Sequence, residues 1–326
     1  MGTTILPCFS LEAESMNGTK TMTRTVIFAN GPIAATIFEA IEAYSPQVQA
    51  LVIPEQRSAL DQAWMEQFGE EQQVPVIQHP KSNHANFIKT IRSLQPDLFI
   101  VFGYARKIPA ALLSIPRLGC VNVHTGLLPE YRGGHVLQWA IIRGEKETGI
   151  TLHYMVEEID AGPIIARESI PIRDLDDAQS LSKRLIQLGG ELLHSYWPVI
   201  TSGHTHAIEQ DESRACYYPL RTADDGRIHW HQTSRSIFNL VRALVKPWPG
   251  AFTFINDQKV VVYCCQIIDP PPSTSKPGSI LWIDDSGVAV ACGDGAVLIA
   301  GIEIDGLAVE PADYSRFGIK PGNQFT

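Results

Sequence analysis

The chain has 326 residues, enough for two domains of ordinary size, and its 44% hydrophobic and 19% charged content can bury a substantial core. With 35 acidic against 26 basic residues the net charge is −9, which disfavours nucleic acid as a partner, because phosphate contacts need clustered Lys and Arg. No apolar stretch approaches a membrane span, and the six cysteines show no CxxC or CxxxC spacing, which argues against a membrane protein or a structural zinc site and for reduced thiols in a cytoplasmic protein.

Residues 1–23 lack the basic start and continuous apolar core of a signal peptide, so they read as an N-terminal extension or a misplaced start. Residues 25–29 (TVIFA) predict the first strand, the turn Asn30-Gly31-Pro32 follows, and a helical pattern covers 34–43. Residues 48–53 predict a strand, 60–68 a helix with Trp64 and Phe68 on one face, and 76–78 a short strand. An amphipathic helix is expected over 83–94, with Phe87, Ile88, Ile91 and Leu94 inward. Residues 98–102 are apolar on both faces, as in a central parallel strand, and 109–114 form a short helix opening on proline. A strand at 120–124, a helix at 136–143 and strands at 150–154 and 164–170 follow, before a long helix at 177–197.

Strands alternating with helices predict an α/β fold, a Rossmann-like parallel sheet whose ligands bind beyond the carboxyl ends of the strands. The catalytic domain is placed at 24–203, a polar linker without periodicity at 204–222, and a second domain at 223–326. In that last domain one helical pattern, 234–244, precedes short β-runs at 252–255, 260–266, 280–283, 288–292 and 296–303, with a loop at 270–275. This predicts a small β-barrel, OB-like, or an open sheet. Trp230 and Trp248 are expected at the seam between the domains.

The chemistry concentrates in residues 122–162: NVH at 122–124, LLP at 127–129, YRG at 131–133, TGIT at 148–151 and DAG at 160–162. An amide, an imidazole and a carboxylate at strand ends can stabilise an oxyanion and move a proton. No Ser or Cys elbow stands near Asn122, His124 and Asp160, so the nucleophile would come from the substrate. The first turn holds only Gly31 and lacks a dinucleotide fingerprint, and neither a P-loop nor GxSxG occurs. The HxH pairs at 204–206 and 229–231 lack a third partner and read as solvated or packed histidines, with no metal expected.

The run GCVNVHTGLLPEYRGG…TGITLHYM…IDAGPI resembles the formyltransferases that use 10-formyltetrahydrofolate. The resemblance continues through RTADDGRIHWH and KPWPGAF and covers nearly all of the chain from about residue 25. Family members with this layout include methionyl-tRNA formyltransferase and the formyltransferase half of the enzyme that modifies UDP-4-amino-4-deoxy-L-arabinose. The sugar N-formyltransferases share the catalytic domain. At ETGITLHYM and KPWPGAF the chain is most similar to the aminoarabinose enzyme. It departs from the family at Gly126, where Ser is usual, and from the aminoarabinose enzyme at Gly134-His135, where a basic residue follows YRG.

The resemblance implies that Asn122 and His124 line the oxyanion and that Asp160 orients His124. It places the folate donor along Tyr104, Arg106, Lys107 and Ile108, Leu127, Leu128 and Pro129, and Val156, Glu157 and Glu158. Thr125, Gly126, Tyr131 and Arg132 would face the acceptor or its phosphate. The expected acceptor is a small amine, namely a nucleotide-linked amino sugar, because the segment 53–73 that would match a tRNA-gripping loop is acidic. The alternatives are methionyl-tRNA, with Arg214, Arg221, Arg235 and Lys246 along its path, and a siderophore-type amine such as hydroxyornithine. Two other classes are a folate-binding protein without turnover and a hydrolase releasing formate. The sequence leaves open whether the chain forms a homo-oligomer.

Overall fold

The computed structural model describes residues 22–55, 59–82, 84–269 and 275–326. Nearly all of the expected N-terminal extension and most of the expected 270–275 loop lie outside the described residues.

The first half of the chain alternates β1 (Arg24–Ala29), α1 (Ile33–Glu42), β2 (Gln47–Pro54), α2 (Ala59–Glu71), β3 (Val76–His79), α3 (His84–Ser93), β4 (Leu98–Phe102), α4 (Ala110–Leu113) and β5 (Cys120–His124). These five strands are parallel, in the order β3-β2-β1-β4-β5. β4 is buried along its whole length, as its apolar sequence LFIVF requires of a strand covered on both faces.

The short strand β6 (Arg132–Gly133), α5 (Val136–Arg143), β7 (Glu147–Tyr154) and β8 (Ile164–Pro171) follow. The Rossmann-like parallel sheet expected from the sequence is present in the five strands β1 to β5, and β7, antiparallel to β5, and β8, antiparallel to β7, extend it to a mixed sheet of seven. The alternation of apolar residues fixes which face a side chain occupies but not the direction of its strand.

Two apolar clusters cover the two faces of the sheet. One gathers Ile27, Val121, Val123, Ile150 and Leu152 under α1 and the long helix α6 (Ala178–Ser202). The other gathers Val26, Phe28, Phe99, Val101 and Cys120 under α3 and α4, with Ile108, Tyr104 and Met155 packed alongside. Burying one such aliphatic side chain is worth about 1.5–3 kcal/mol, so the clusters dominate the stability of the sheet. In β5 the period of two places Asn122 and His124 on the Cys120 side, the face opposite α1 and α6.

α6 starts at a capping box, in which the Asp177 side chain accepts from Ser180 N and Ser180 Oγ accepts from Asp177 N. It runs past Trp197, where the expected helix ended, to Ser202. Pro198 removes the amide that would bond the His194 carbonyl; that carbonyl accepts from Tyr44 Oη at 3.0 Å instead.

The second sheet comprises β10 (Ala251–Ile255), β11 (Gln258–Ile268), β12 (Ile280–Asp284), β13 (Gly287–Ala291), β14 (Ala296–Ile304) and β15 (Leu307–Val309), all antiparallel, and is preceded by β9 (Tyr217–Tyr218) and α7 (Ser234–Ala243). α7 packs against α5, and the α1/α6-side apolar cluster continues through both into the second sheet. Arg242 of α7, only 9% exposed, donates through Nη1 to the carbonyls of Arg173 and Asp176 and so ties the second sheet to the chain leading into α6. Trp248 meets His135 at 4.6 Å across this seam. Trp230, expected at the same seam, instead stacks on Phe325 and donates to Thr253 Oγ1 within the second unit.

The polar stretch 204–222 is laid along the first sheet. Ile208 bridges Ile164, and β9 pairs in parallel with β6.

Candidate active site

The antiparallel register of β5 and β7 builds the site. It sets Asn122 opposite His153 and His124 opposite Thr151, with all four side chains toward one face. Thr151 Oγ1 donates to the Gly126 carbonyl and accepts from Leu128 N, which holds the loop leaving β5 against β7.

Asp160 sits in the loop between β7 and β8 with φ 54°, a left-handed conformation that Asp tolerates. Gln210 Nε2 donates to the carbonyls of Asp160 and Gly162, both at 2.7 Å, which pins that loop. A Cβ on Gly162 would lie 1.9 Å from the Tyr154 carbonyl oxygen, so only glycine fits there. Gly133 N then donates to Asp160 Oδ2 at 2.8 Å.

The sequence-predicted trio is thereby brought together. His124 Nδ1 lies 3.7 Å from Asp160 Oδ2, and both side chains are largely enclosed. The other ring nitrogen, Nε2, lies 2.6 Å from the Tyr131 carbonyl oxygen. A carbonyl only accepts, so Nε2 carries the proton and the lone pair of neutral His124 is at Nδ1, on the Asp160 side. Asn122 Nδ2 donates to His153 Nε2 at 3.1 Å, and that same nitrogen lies 3.6 Å from Asp160 Oδ1.

His153 is the member of the site that sequence reasoning missed. Burial pushes its pKa down, against the pull of Asp160, so it is neutral. In the sequence it stands within the ETGITLHYM run and on the same β-face as Thr151, and its place in the site becomes visible only once the register with β5 is known.

The arrangement offers a donor at Asn122, a base at His124 and a carboxylate able to hold a charged imidazolium. This suits attack of an external amine on an acyl-type carbon. Among the described residues no group of three or more His, Cys, Asp or Glu could hold a metal ion, and no helix is long and apolar enough to cross a membrane.

A family profile described as formyl transferase matches residues 23–196, and one described as formyl transferase, C-terminal domain, matches residues 221–315. The chain belongs to the formyl transferase family. It is 38% identical over 255 residues to the methionyl-tRNA formyltransferase of Citrifermentans bemidjiense, covering 78% of this chain and 79% of that one. It is 39% identical over 233 residues to the methionyl-tRNA formyltransferase of Trichlorobacter lovleyi, covering 72% of each. Its fold resembles the N-formyltransferase of Helicobacter canadensis, solved with folinic acid and dTDP-3-aminofucose, with a TM-score of 0.69 at 19% identity over 86% of this chain and 99% of that one. It also resembles HypX of Aquifex aeolicus bound to tetrahydrofolic acid, with a TM-score of 0.64 at 20% identity over 92% of this chain but only 49% of HypX.

Within this formyl transferase several site residues expected from the sequence are placed otherwise. Arg132, expected from the sequence to face the acceptor or its phosphate, is fully buried. Its guanidinium forks onto Glu212, donates twice to Gln210 Oε1 and once to Tyr217 Oη, and lies 5.3 Å from the Tyr217 ring centroid. It locks the 204–222 stretch to β6. Arg132→Met should therefore lower stability by on the order of 2 kcal/mol through lost charge-assisted hydrogen bonds. Thermal unfolding checks this: a lower midpoint with an unchanged acceptor KM is expected, whereas a raised acceptor KM at unchanged stability would return Arg132 to the acceptor.

Leu128 and Pro129 are buried and form wall rather than open surface, and Ile108 belongs to the core. Tyr104 Oη and Arg106 Nη1 both engage His79, at its Nδ1 and its carbonyl. Burial, with the charges of Arg106 and His84, holds the His79 ring at a pKa of about 4. Lys107, Val156, Glu157 and Glu158 are exposed, while Leu127 and Thr125 are half-buried. Tyr131 stacks on Tyr218 at 4.8 Å and donates its hydroxyl to Glu145.

Gly126 lies against His124: a Cβ there would stand 2.9 Å from His124 Nε2 and 3.1 Å from the Tyr131 carbonyl oxygen. The glycine thus allows the close seating of His124 on that carbonyl. Gly134 and His135, the other departure, are packed rather than open. A Cβ on Gly134 would meet Leu220, and His135 Nδ1 accepts from Arg221 N.

Proposed function

We propose that this formyl transferase moves a formyl group from 10-formyltetrahydrofolate to the amine of methionyl-tRNA, acting in the cytoplasm. The observation that carries the acceptor is the 38% identity over 255 residues to a methionyl-tRNA formyltransferase; five further relatives, at 36–39% identity, bear the same name.

This replaces the small-amine acceptor expected from the sequence. Sugar N-formyltransferases enter the comparison at 18–22% identity, a likeness of fold. The exclusion of nucleic acid rested on the net charge and on segment 53–73, and a net charge does not describe the local field a tRNA end would meet. Ala59–Glu71 of that segment form helix α2, as the helical pattern at 60–68 predicts. Of the cations considered for a tRNA path, Arg214 pairs with Glu130, Arg235 with Asp174 and Lys246 with Glu303, while Arg221 lies over the Trp139 ring.

In this reading the acceptor amine enters past Thr125 and Tyr131, and the donor lies along the face carrying Tyr104, Lys107 and Val156. The amine nitrogen attacks the formyl carbon. Asn122 donates to the developing oxyanion, and His124 Nδ1 takes the amine proton. The imidazolium then stands beside Asp160, and as the bond from the formyl carbon to the folate nitrogen breaks the proton passes to that nitrogen, which releases tetrahydrofolate and returns His124 to its neutral form. Holding both substrates in one geometry supplies much of the rate.

The test compares kcat/KM for initiator methionyl-tRNA with that for nucleotide-linked amino sugars at one donor concentration. A preference for the charged tRNA of about a hundredfold or more is expected. Faster formylation of a sugar would overturn the acceptor.

A further inference from the structure

His153 is 1% exposed and stands opposite Asn122 in the β5–β7 ladder. Its Nδ1 lies 2.9 Å from the Tyr154 carbonyl oxygen. That oxygen can only accept, so Nδ1 carries the proton and, in the neutral ring, Nε2 presents a lone pair. The lone pair points to Asn122 Nδ2 at 3.1 Å. An Asn122 amide turned the other way would set its oxygen against the same lone pair, with no proton between them.

We propose that His153 is a positioning residue: its neutral ring fixes the Asn122 amide with the NH2 group toward His153, leaving one N–H of that group for the oxyanion formed at the transferred carbon. His153 does not touch the reacting atoms and acts through Asn122. The proposal rests on formyl transfer and not on which amine accepts the group.

The groups facing the ring agree with this role. Burial disfavours the imidazolium, and the charges of His124 and Arg132 add to that effect. Asp160, with Oδ1 at 3.6 Å, and the Tyr154 carbonyl oppose it. Protonation would turn Nε2 into a donor, repel the NH2 of Asn122 and give Asp160 a second cation to pair with besides His124. The ring pKa is held below its ordinary value, so this loss falls on the acid side of neutrality.

The experiment uses His153→Leu and His153→Gln, each alone and combined with Asn122→Ala, with formyl transfer and donor binding measured from roughly pH 5 to pH 8. His153→Leu should lower kcat about tenfold or more while donor KM moves little, because a misplaced donor costs transition-state stabilisation rather than binding. His153→Gln, whose Oε1 can accept from Asn122, should recover most of that loss. In the Asn122→Ala background His153→Leu should cost nothing further, as expected of two residues acting as one unit. A Leu variant with wild-type kcat, a Gln variant no better than Leu, or full additivity with Asn122→Ala would each overturn the proposal. Nitrogen NMR of the wild-type imidazole reads the tautomer directly, independent of acceptor and of variant folding. A proton on Nδ1 is expected at neutral pH, and a proton on Nε2 would overturn the assignment.

Discussion

Asp160→Asn should leave the fold in place and lower kcat by roughly a hundred- to a thousandfold. The amide is a clean probe here. Oδ2 of Asp160 accepts from Gly133 N, so the asparagine must turn its oxygen to that amide and its NH2 toward His153. Shape and the Gly133 hydrogen bond survive and the charge is lost, while the new NH2 faces the His153 Nε2 lone pair that also accepts from Asn122. Asp160 stands 3.7 Å from His124 Nδ1. Two unit charges at about 4 Å attract by roughly 4 kcal/mol at an effective dielectric near 20, and each 1.36 kcal/mol is a factor of ten in rate. That attraction exists only once His124 has taken the amine proton, so its loss belongs to kcat rather than to KM. Steady-state kinetics beside thermal unfolding checks this; an Asn variant within tenfold of wild type would make Asp160 structural.

His124→Ala should cut kcat by a factor on the order of a hundred or more while donor binding survives. The ring is 7% exposed and bonded at Nε2 to the Tyr131 carbonyl, so its removal also opens a small cavity and frees that carbonyl. A stability loss is therefore expected alongside the kinetic one. Donor affinity separates the two, because a collapsed site would lose both. Turnover within tenfold of wild type, in a variant that binds folate normally, would remove His124 from the chemistry.

The N-terminal sheet was readable because its strands are short β-branched runs between clear helical patterns. Residues 98–102 announce a central strand by being apolar on both faces, and β4 is buried throughout. The direction of β7 and β8 was not readable, since the pattern of TGITLHY is the same for either direction. That direction is what sets His153 opposite Asn122, so the missed residue and the missed topology share one cause.

Asn122, His124 and Asp160 were visible as residue types that suit an oxyanion, spread over less than forty residues. The burial of Arg132 was hidden for another reason. Its partners Gln210, Glu212 and Tyr217 lie some eighty residues on, in a stretch whose lack of periodicity reads as a linker. The relatives named methionyl-tRNA formyltransferase do not support the charge argument about the acceptor, since composition averages over surfaces that a ligand never meets.

The most direct measurement follows the formyl carbon. The enzyme is given 10-formyltetrahydrofolate labelled in the formyl group together with methionyl-tRNA, and the label is located after one turnover. Label on the methionine nitrogen, appearing with wild type and nearly abolished in Asp160→Asn, is the expected result. Label recovered as free formate, at the same rate with and without the acceptor, would contradict transfer to an amine and leave a hydrolase in its place.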